Sequence, residues 1–202
     1  YTLSLHDALP IFNTDEWATQ TRGEAEIVLV HEGWPGHHLQ ISLAQEAGEL
    51  PYFRRTTYIT AFGEGWGLYA ESLGVEMGIY RTPYERFGRL SYEMWRACRL
   101  VADTGLHWLG WSIEQARACF AENSALSPHN IQTELERYIA TPGQALGYKI
   151  GELRLQALRR EAETALGERF NVRLFHDVVL GAGSVPLDVL EARVRAWVAE
   201  QS

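Results

Sequence analysis

Residues 31–38 read HEGWPGHH, a stretch that holds three imidazoles and one carboxylate. Its proline and glycine also indicate the course of the backbone. Pro35 lacks an N–H group, and in a continuous helix its ring would clash with the carbonyl of His31, four residues earlier. Gly36 then allows the chain to enter a second helix at a new angle. The sequence therefore predicts two helices that meet in a bend at Pro35–Gly36.

Two of these histidines can share a metal ion only if the chain bends. In helical zinc hydrolases, two histidines four residues apart bind the metal, and a glutamate beside the first activates water. A straight helix rises about 1.5 Å per residue and would separate His31 from His37 by about 9 Å. Two ligand atoms on one zinc ion lie no more than about 4 Å apart, because each is about 2.0–2.1 Å from the metal. A bend would bring His37 or His38 beside His31; otherwise the histidines form a solvated polar corner.

Three glutamates are candidates for the remaining chemistry. Glu32 is placed to act as the general base that takes a proton from zinc-bound water, or it is an ordinary surface glutamate. A catalytic zinc ion has three protein ligands, and Glu64, in the GEGWG stretch of residues 63–67, is the best candidate for the third. Glycines cost about 1 kcal/mol each inside a helix, which indicates a close approach of this backbone to another group. Glu71, two turns later, could orient a histidine; spacing alone also allows both to be surface carboxylates.

A second group could stabilise negative charge on a substrate. His107 follows Asp103 by four residues, so the two share a face if the segment is helical. An imidazole oriented by Asp103 could donate a hydrogen bond to the oxyanion of an attacked carbonyl, and the Tyr148 phenol could do the same. The alternatives are a helix-capping aspartate beside a structural histidine, and a core tyrosine. His129 and His176 are interpreted as structural.

The pattern of the whole chain favours an all-α fold. Helix-compatible segments alternate with Gly and Pro breaks, and no alternating stretch is long enough to indicate a sheet. One long amphipathic helix is predicted over residues 83–102. Its apolar residues recur near helical spacing: Phe87, Leu90, Met94 and Val101.

Composition excludes several classes of function. The 202 residues, 46% of them hydrophobic, suffice for a well-buried domain. A net charge of −8 argues against a nucleic-acid-binding surface, which would be basic. No apolar run approaches the roughly 18 residues of a transmembrane helix. Cys98 and Cys119 lack the paired spacing of a metal or redox motif and are predicted to be buried thiols rather than a disulfide.

The beginning of the chain is predicted to be foreign to the domain. Residues 1–11, YTLSLHDALPI, have no initiator methionine and lack the basic flank and apolar core of a signal peptide. They resemble translated sequencing adapter, so we expect native sequence from about Phe12 and exclude His6 and Asp7 from any site. Residues 12–202 are then one helical domain, truncated at its N-terminus.

Four ordered motifs carry a resemblance to a known family. They are HEGWPGHHLQ at 31–40, GEGWGLYAE at 63–71, DTGLHWLGW at 103–111 and ERYIATPGQALGYKIG at 136–151. Together they resemble the C-terminal part of the bacterial domain-of-unknown-function 885 family, helical proteins grouped with the gluzincin metallopeptidases. The similarity continues through FHDVVLGAGSVPLDVLE at 175–191.

The resemblance implies a zincin-like fold that holds one zinc ion. Its implied ligands are His31, one histidine of the 37–38 pair and Glu64, with Glu32 as the base. The Gly-His at the end of the usual motif aligns with Gly36–His37, which favours His37 over His38. By analogy with helical oligopeptidases, His107 and Tyr148 would be transition-state donors. Family members are usually much longer, so the chain would be a C-terminal portion.

The leading hypothesis is a zinc-dependent hydrolase that cleaves a peptide or small amide substrate with metal-activated water and Glu32 as general base. One alternative is a non-catalytic helical module that a metal stabilises. Another is an incomplete fragment without activity.

Overall fold

The computed structural model describes residues 22–201, and the prediction for residues 1–11 lies outside this range. Every regular element within it is helical, which confirms the all-α fold. The α-helices in chain order are α1 (Arg22–Val28), α2 (His37–Glu46), α3 (Tyr52–Thr56), α4 (Thr60–Glu76), α5 (Pro83–His107), α6 (Ile113–Asn123), α7 (Pro128–Ala140), α8 (Leu146–Leu166), α9 (Val172–Leu180) and α10 (Leu187–Gln201). A search of the described helices finds none whose length and apolar character would allow it to cross a membrane.

Helices α4 and α8 pack closely at the centre of the first hydrophobic core. A Cβ atom on Gly65 of α4 would lie 2.5 Å from the Cα of Gly151 on α8, so only glycine permits this approach. The prediction that the glycines of residues 63–67 mark a close backbone contact is therefore confirmed. Around this contact, α4 and α8 share a core with α9 and α10 through Trp66, Leu155 and Phe175.

A second core forms between α5, α6 and α7, around Phe120 and Leu135. Cys98 of α5 and Cys119 of α6 form a disulfide here, with their Cα atoms 5.7 Å apart. The prediction of buried free thiols is wrong. The two helices form a hairpin that brings together residues 21 positions apart, a proximity that no local spacing motif signals.

Helix α5 turns a different face to the protein than its apolar pattern predicts. Its expected apolar stripe is 40–62% exposed: Phe87, Leu90, Met94 and Val101. Arg96 and Arg99 are instead only 5% and 4% exposed. Each is paired with a carboxylate, Arg96 with Glu71 at 2.9 Å and Arg99 with Glu134 at 2.8 Å. The small side chains of the same face also allow close packing against α6, so ion pairs and small residues determine which face is buried.

Two helix ends follow the local signals of the sequence. The Ser127 hydroxyl accepts a hydrogen bond from the Asn130 N–H, and Pro128 occupies the first position of α7, as its sequence predicts. Gly167 ends α8 with a φ of 55°, a conformation that favours glycine. Helix α5 differs from its prediction, since it continues to His107 instead of ending near residue 102.

Candidate metal centre

The predicted bend after His31 is present. A π-helical turn, Leu29–Gly33, follows α1, and the chain is extended at Trp34 before α2 begins at His37. The Trp34–Pro35 peptide bond is cis. The bend places the rings of His31 and His37 edge to face, with centroids 4.7 Å apart.

Close contacts hold the bend in place. A Cβ atom on Gly36 would overlap the carbonyl of His31, so a larger residue could not occupy this position. The indole N–H of Trp66 on α4 donates a hydrogen bond of 2.9 Å to the Pro35 carbonyl. The bend is therefore attached to the helix that carries Glu64.

His31, His37 and Glu64 form a compact group of potential metal ligands. The Nε2 atoms of His31 and His37 lie 3.5 Å and 3.2 Å from Glu64 Oε2. One ligand atom from each residue falls within 4.8 Å of the others. Tetrahedral zinc with ligands at about 2.0–2.1 Å places neighbouring ligand atoms roughly 3.3 Å apart. The donor types and the two distances to Glu64 thus fit a divalent metal ion, whereas His38 is exposed and lies outside the group.

Both histidines are oriented through their other ring nitrogen. His31 Nδ1–H donates to Glu71 Oε1 at 2.7 Å, and His37 Nδ1–H donates to Gln40 Oε1 at 3.2 Å. A neutral imidazole that donates from Nδ1 has its lone pair on Nε2. Two such lone pairs directed at one carboxylate oxygen repel it unless a proton or metal ion lies between them. The predicted role of Glu71, to orient a histidine, matches its position.

Hydrogen bonds within the group determine how its members are charged. Burial alone would raise the pKa of Glu64, but its hydrogen bonds with His31 and His37 outweigh burial and hold the pKa well below the usual range. Burial would lower the pKa of His31, but hydrogen bonds with Glu64 and Glu71 outweigh it and raise that pKa. Glu64 therefore stays ionised, as a metal ligand must, and a metal ion that binds here displaces the proton that these contacts favour on His31.

Tyr58 is a neighbour of Glu64 that sequence reasoning did not identify. Its hydroxyl donates to Glu64 Oε1 at 2.9 Å. Burial raises the pKa of Tyr58, and the charges of Glu64 and then Glu32 raise it further, so the hydroxyl remains a donor. No spacing signal marks Tyr58, because it precedes α4 in an irregular segment. Gln40 was detectable, since it lies three residues after His37 on the same helix.

Glu32 and Tyr148 lie in a cleft beside His31. With His31 they line a cleft of about 260 Å³, and Glu32 is exposed. The Tyr148 ring lies nearly parallel to that of His31, with centroids 6.4 Å apart. Arg137 Nη2 donates to the Tyr148 hydroxyl at 3.2 Å, and the Arg99 guanidinium covers the ring at 4.3 Å from its centroid. The cleft therefore presents a carboxylate and a phenol beside His31.

His107 and Asp103 contact backbone groups in and just after the last turn of α7. The Asp103 carboxylate accepts a hydrogen bond from the Gly143 N–H at 3.0 Å, and His107 Nε2–H donates to the Tyr138 carbonyl at 2.9 Å. Both contacts attach the end of α7 to α5. Neither Asp103 nor His107 is among the described residues that line the cleft beside His31. No hydrogen bond joins Asp103 to His107 among the described residues, and each side chain contacts the backbone of residues 138–143.

Comparison with known proteins shows which family the chain resembles. The family described as "Bacterial protein of unknown function (DUF885)" matches residues 6–194, while no curated protein matches the chain. A solved "putative lipoprotein" from Colwellia psychrerythraea is 43% identical with a TM-score of 0.86, over 89% of this chain and 31% of that one. A "putative lipoprotein of unknown function" from Shewanella oneidensis is 21% identical with a TM-score of 0.80, over 91% and 34%, and shows the shared fold alone. This chain thus spans about a third of each solved protein, and the match over residues 6–194 shows that it belongs to the DUF885 family.

Proposed function

We propose that this chain carries the metal site of a zinc-dependent hydrolase that cleaves peptide bonds or small amides. One observation carries the proposal: the Nε2 atoms of His31 and His37 are both directed at Glu64 Oε2, at 3.5 Å and 3.2 Å. When bound, zinc supplies polarisation of the substrate carbonyl and lowers the pKa of a water molecule to about 7. The proposal extends to longer proteins of this family, which would have the same hydrolase activity.

The residues around the group have separate roles in this proposal. Glu71 and Gln40 fix the ring orientations of His31 and His37, so that the ligand atoms need no rearrangement. Glu32, exposed beside His31, accepts the proton of the attacking water as general base. The Tyr148 hydroxyl accepts a hydrogen bond from Arg137, which leaves its own proton free for the oxygen that becomes negative on the substrate.

The proposal is tested by separating metal binding from catalysis. Purified protein should contain one zinc ion, measured by elemental analysis, and His31→Ala should lose it. Glu32→Gln should keep the zinc but lose hydrolysis of a peptide library by about 10²–10⁴-fold, the usual contribution of a general base. His38→Ala is the matched control, since this neighbouring histidine is exposed, and it should keep both. Full zinc content in His31→Ala would contradict the ligand assignment.

A non-catalytic metal-stabilised module is the second candidate. It is favoured by the origin of the ligands, which come from the π-helical turn, α2 and α4, so that one ion would tie three elements together. This candidate predicts that zinc raises the melting temperature while no peptide is cleaved. Hydrolysis that requires both zinc and Glu32 would exclude it.

A further inference from the structure

A second cavity adjoins the candidate metal centre on the side of His37 and Glu64. Its volume is about 310 Å³, and Gln40, Tyr58 and Gly63 belong to its lining. Gln40 accepts the hydrogen bond from His37 Nδ1, and Tyr58 donates to Glu64 Oε1. A molecule in this cavity is therefore separated from two of the candidate metal ligands by a single side chain.

The cavity has an apolar wall and a cationic edge. Its wall is formed by aliphatic and aromatic side chains from α2, α4 and α9: Ile41, Ala44, Phe62 and Leu180. Arg54 and Arg55 of α3 form its edge. None of the described residues that line it is acidic. Such a lining suits a ligand that combines an apolar group with a negative charge.

Within the part of the chain that the structure describes, the half-buried Arg54 and Arg55 lack the carboxylate partner that the buried Arg96 and Arg99 have, although Arg96 shares their unpartnered Nε atom. The Nε atoms of Arg54 and Arg55 are buried without a hydrogen-bond partner among the described residues. Arg96 and Arg99 each pair with a carboxylate, whereas neither Arg54 nor Arg55 forms an ion pair with any described carboxylate. A guanidinium presents its N–H donors in a planar fork that matches a carboxylate. Because the Nε atoms are enclosed, the donors available to an anionic group of a ligand are the Nη groups of Arg55, which form no hydrogen bond with a described residue and belong to the edge of the cavity.

The edge of the cavity is already held in position. Arg54 Nη2 donates to the Ala182 carbonyl at 2.7 Å, which attaches α3 to the segment after α9. Gly183, with a φ of 67°, lies so close that a Cβ atom there would be 2.5 Å from the Arg54 carbonyl oxygen. This anchoring uses one guanidinium nitrogen of Arg54 and leaves Arg55 to meet the ligand.

We infer that this cavity binds an apolar side chain whose adjacent carboxylate pairs with Arg55. This inference rests on the proposed hydrolase function where it concerns substrates: the preferred substrates are then peptides with an apolar residue next to a carboxylate. That carboxylate is either the α-carboxylate of a chain end or the side chain of a following acidic residue. Both sources offer Arg55 the same bidentate partner.

Three small probes distinguish these sources on metal-free protein. The first is N-acetyl-phenylalanine, which has an α-carboxylate. The second is N-acetyl-phenylalanyl-glutamic acid α-amide, whose only carboxylate is the glutamate side chain. The third is the uncharged N-acetyl-phenylalaninamide. By isothermal titration calorimetry, at least one charged probe should bind about tenfold more tightly than the amide, as charge-assisted hydrogen bonds allow. Arg55→Gln should abolish this preference, and Ala44→Phe, which fills the cavity, should weaken all three probes. Arg173→Gln, at an exposed arginine of α9, is the matched control and should change nothing.

Equal binding of charged and uncharged probes to the unaltered protein would overturn the inference, as would an equal effect of Arg173→Gln and Arg55→Gln. Circular dichroism checks that each variant is folded. Because the probes are bound without zinc or turnover, this result is independent of the proposed function. Probe binding without hydrolysis would support the cavity assignment and contradict the proposed hydrolase function. Hydrolysis whose kcat/KM is unchanged in Arg55→Gln would support the hydrolase function and contradict the role of Arg55 in substrate binding.

Discussion

One oxygen atom of Glu71 connects the candidate metal centre to the buried side of α5. Glu71 Oε1 accepts hydrogen bonds from His31 Nδ1 at 2.7 Å and from Arg96 Nη2 at 2.9 Å. The carboxylate is 1% exposed, so its charge is balanced by these two partners rather than by water. Its removal would release the His31 ring and leave the Arg96 guanidinium buried without its counter-ion.

We expect Glu71→Gln to weaken zinc binding by about 10–100-fold, the usual effect of losing a group that orients a metal ligand. The free energy of unfolding should fall by about 3 kcal/mol, because a buried charge loses its partner. A chelator competition titration and urea unfolding measure the two effects. Glu161→Gln is the control: Glu161 is half exposed and pairs with Arg195 at 3.3 Å, and such surface pairs contribute about 1 kcal/mol or less. Unaltered zinc affinity in Glu71→Gln would contradict the orienting role.

Gly67 gives the His31 ring its place against α4. A Cβ atom at this position would lie 2.5 Å from His31 Cε1. Gly67→Ala should displace the ring and lower zinc affinity about tenfold or more, since such overpacking costs about 1–3 kcal/mol. Gly33→Ala is the matched control, because a Cβ atom there meets no other atom within 4 Å. Equal zinc affinity in the two variants, with helix content unchanged, would show that the ring position does not matter.

His176 makes the molecule sensitive to acid at a point away from the candidate ligands. Its Nε2 accepts a hydrogen bond of 2.9 Å from the Tyr69 hydroxyl, which itself accepts one from Arg159. Burial, and then the charge of Arg159, lower the pKa of His176 from 6.5 to about 4. The neutral form is therefore favoured by folding, so its contribution to stability is complete above pH 6.5 and is lost as the pH falls toward 4.

On metal-free protein, the free energy of unfolding should fall between pH 7.5 and pH 4.5 by on the order of 1–2 kcal/mol more than in His176→Gln. Urea unfolding at the two pH values gives this difference, and titrations common to both proteins cancel. Parallel losses in the two proteins would show that His176 does not carry the effect.

At the scale of elements, the bend at Pro35–Gly36 could be predicted, whereas the orientation of α5 could not. The bend depends on the missing N–H of proline and on a glycine, which act within a few residues. The buried face of α5 depends on partners distant in sequence, such as Glu134 for Arg99. The same holds for the Cys98–Cys119 disulfide, which requires the α5–α6 hairpin. In the site, His31, His37, Glu64 and Glu71 were predictable from motif and spacing, but Tyr58 and Arg96 reach it only through the fold.

The orientation of α5 leads to a prediction that opposes its apolar pattern. Phe87 is 62% exposed, so Phe87→Ala should change the free energy of unfolding by no more than about 0.5 kcal/mol. Had the apolar stripe been the buried face, the same change would cost about 3–5 kcal/mol. Arg99→Ala should be strongly destabilising instead, because the largely buried Glu134 loses its 2.8 Å ion pair and keeps only the more distant Arg137 as a counter-charge. Urea unfolding of both variants decides the matter, and a large loss in Phe87→Ala would contradict the described orientation.

At the scale of the whole molecule, the candidate metal centre lies where the two hydrophobic cores meet. Helix α4, which carries Glu64 and Glu71, belongs to the first core with α8, α9 and α10. Arg99 and Arg137 reach the cleft beside His31 from α5 and α7, whose side chains form the second core. An ion held by His31, His37 and Glu64, as proposed, would therefore tie the bend and α2 to the central helix pair.

If the proposed zinc site is correct, zinc should stabilise the described fold, since it would bind the folded ligand group and not the separated ligands of an unfolded chain. At a free zinc concentration of about 100 Kd the gain is about 2.7 kcal/mol, which corresponds to a rise in Tm of about 5–10 °C for a chain of this length. Thermal unfolding with zinc and with a chelator measures the shift. His37→Ala should abolish it and His38→Ala should retain it, because only the former residue belongs to the ligand group. A shift that survives His37→Ala but not His38→Ala would mean that the exposed histidine, and not the buried one, meets the metal.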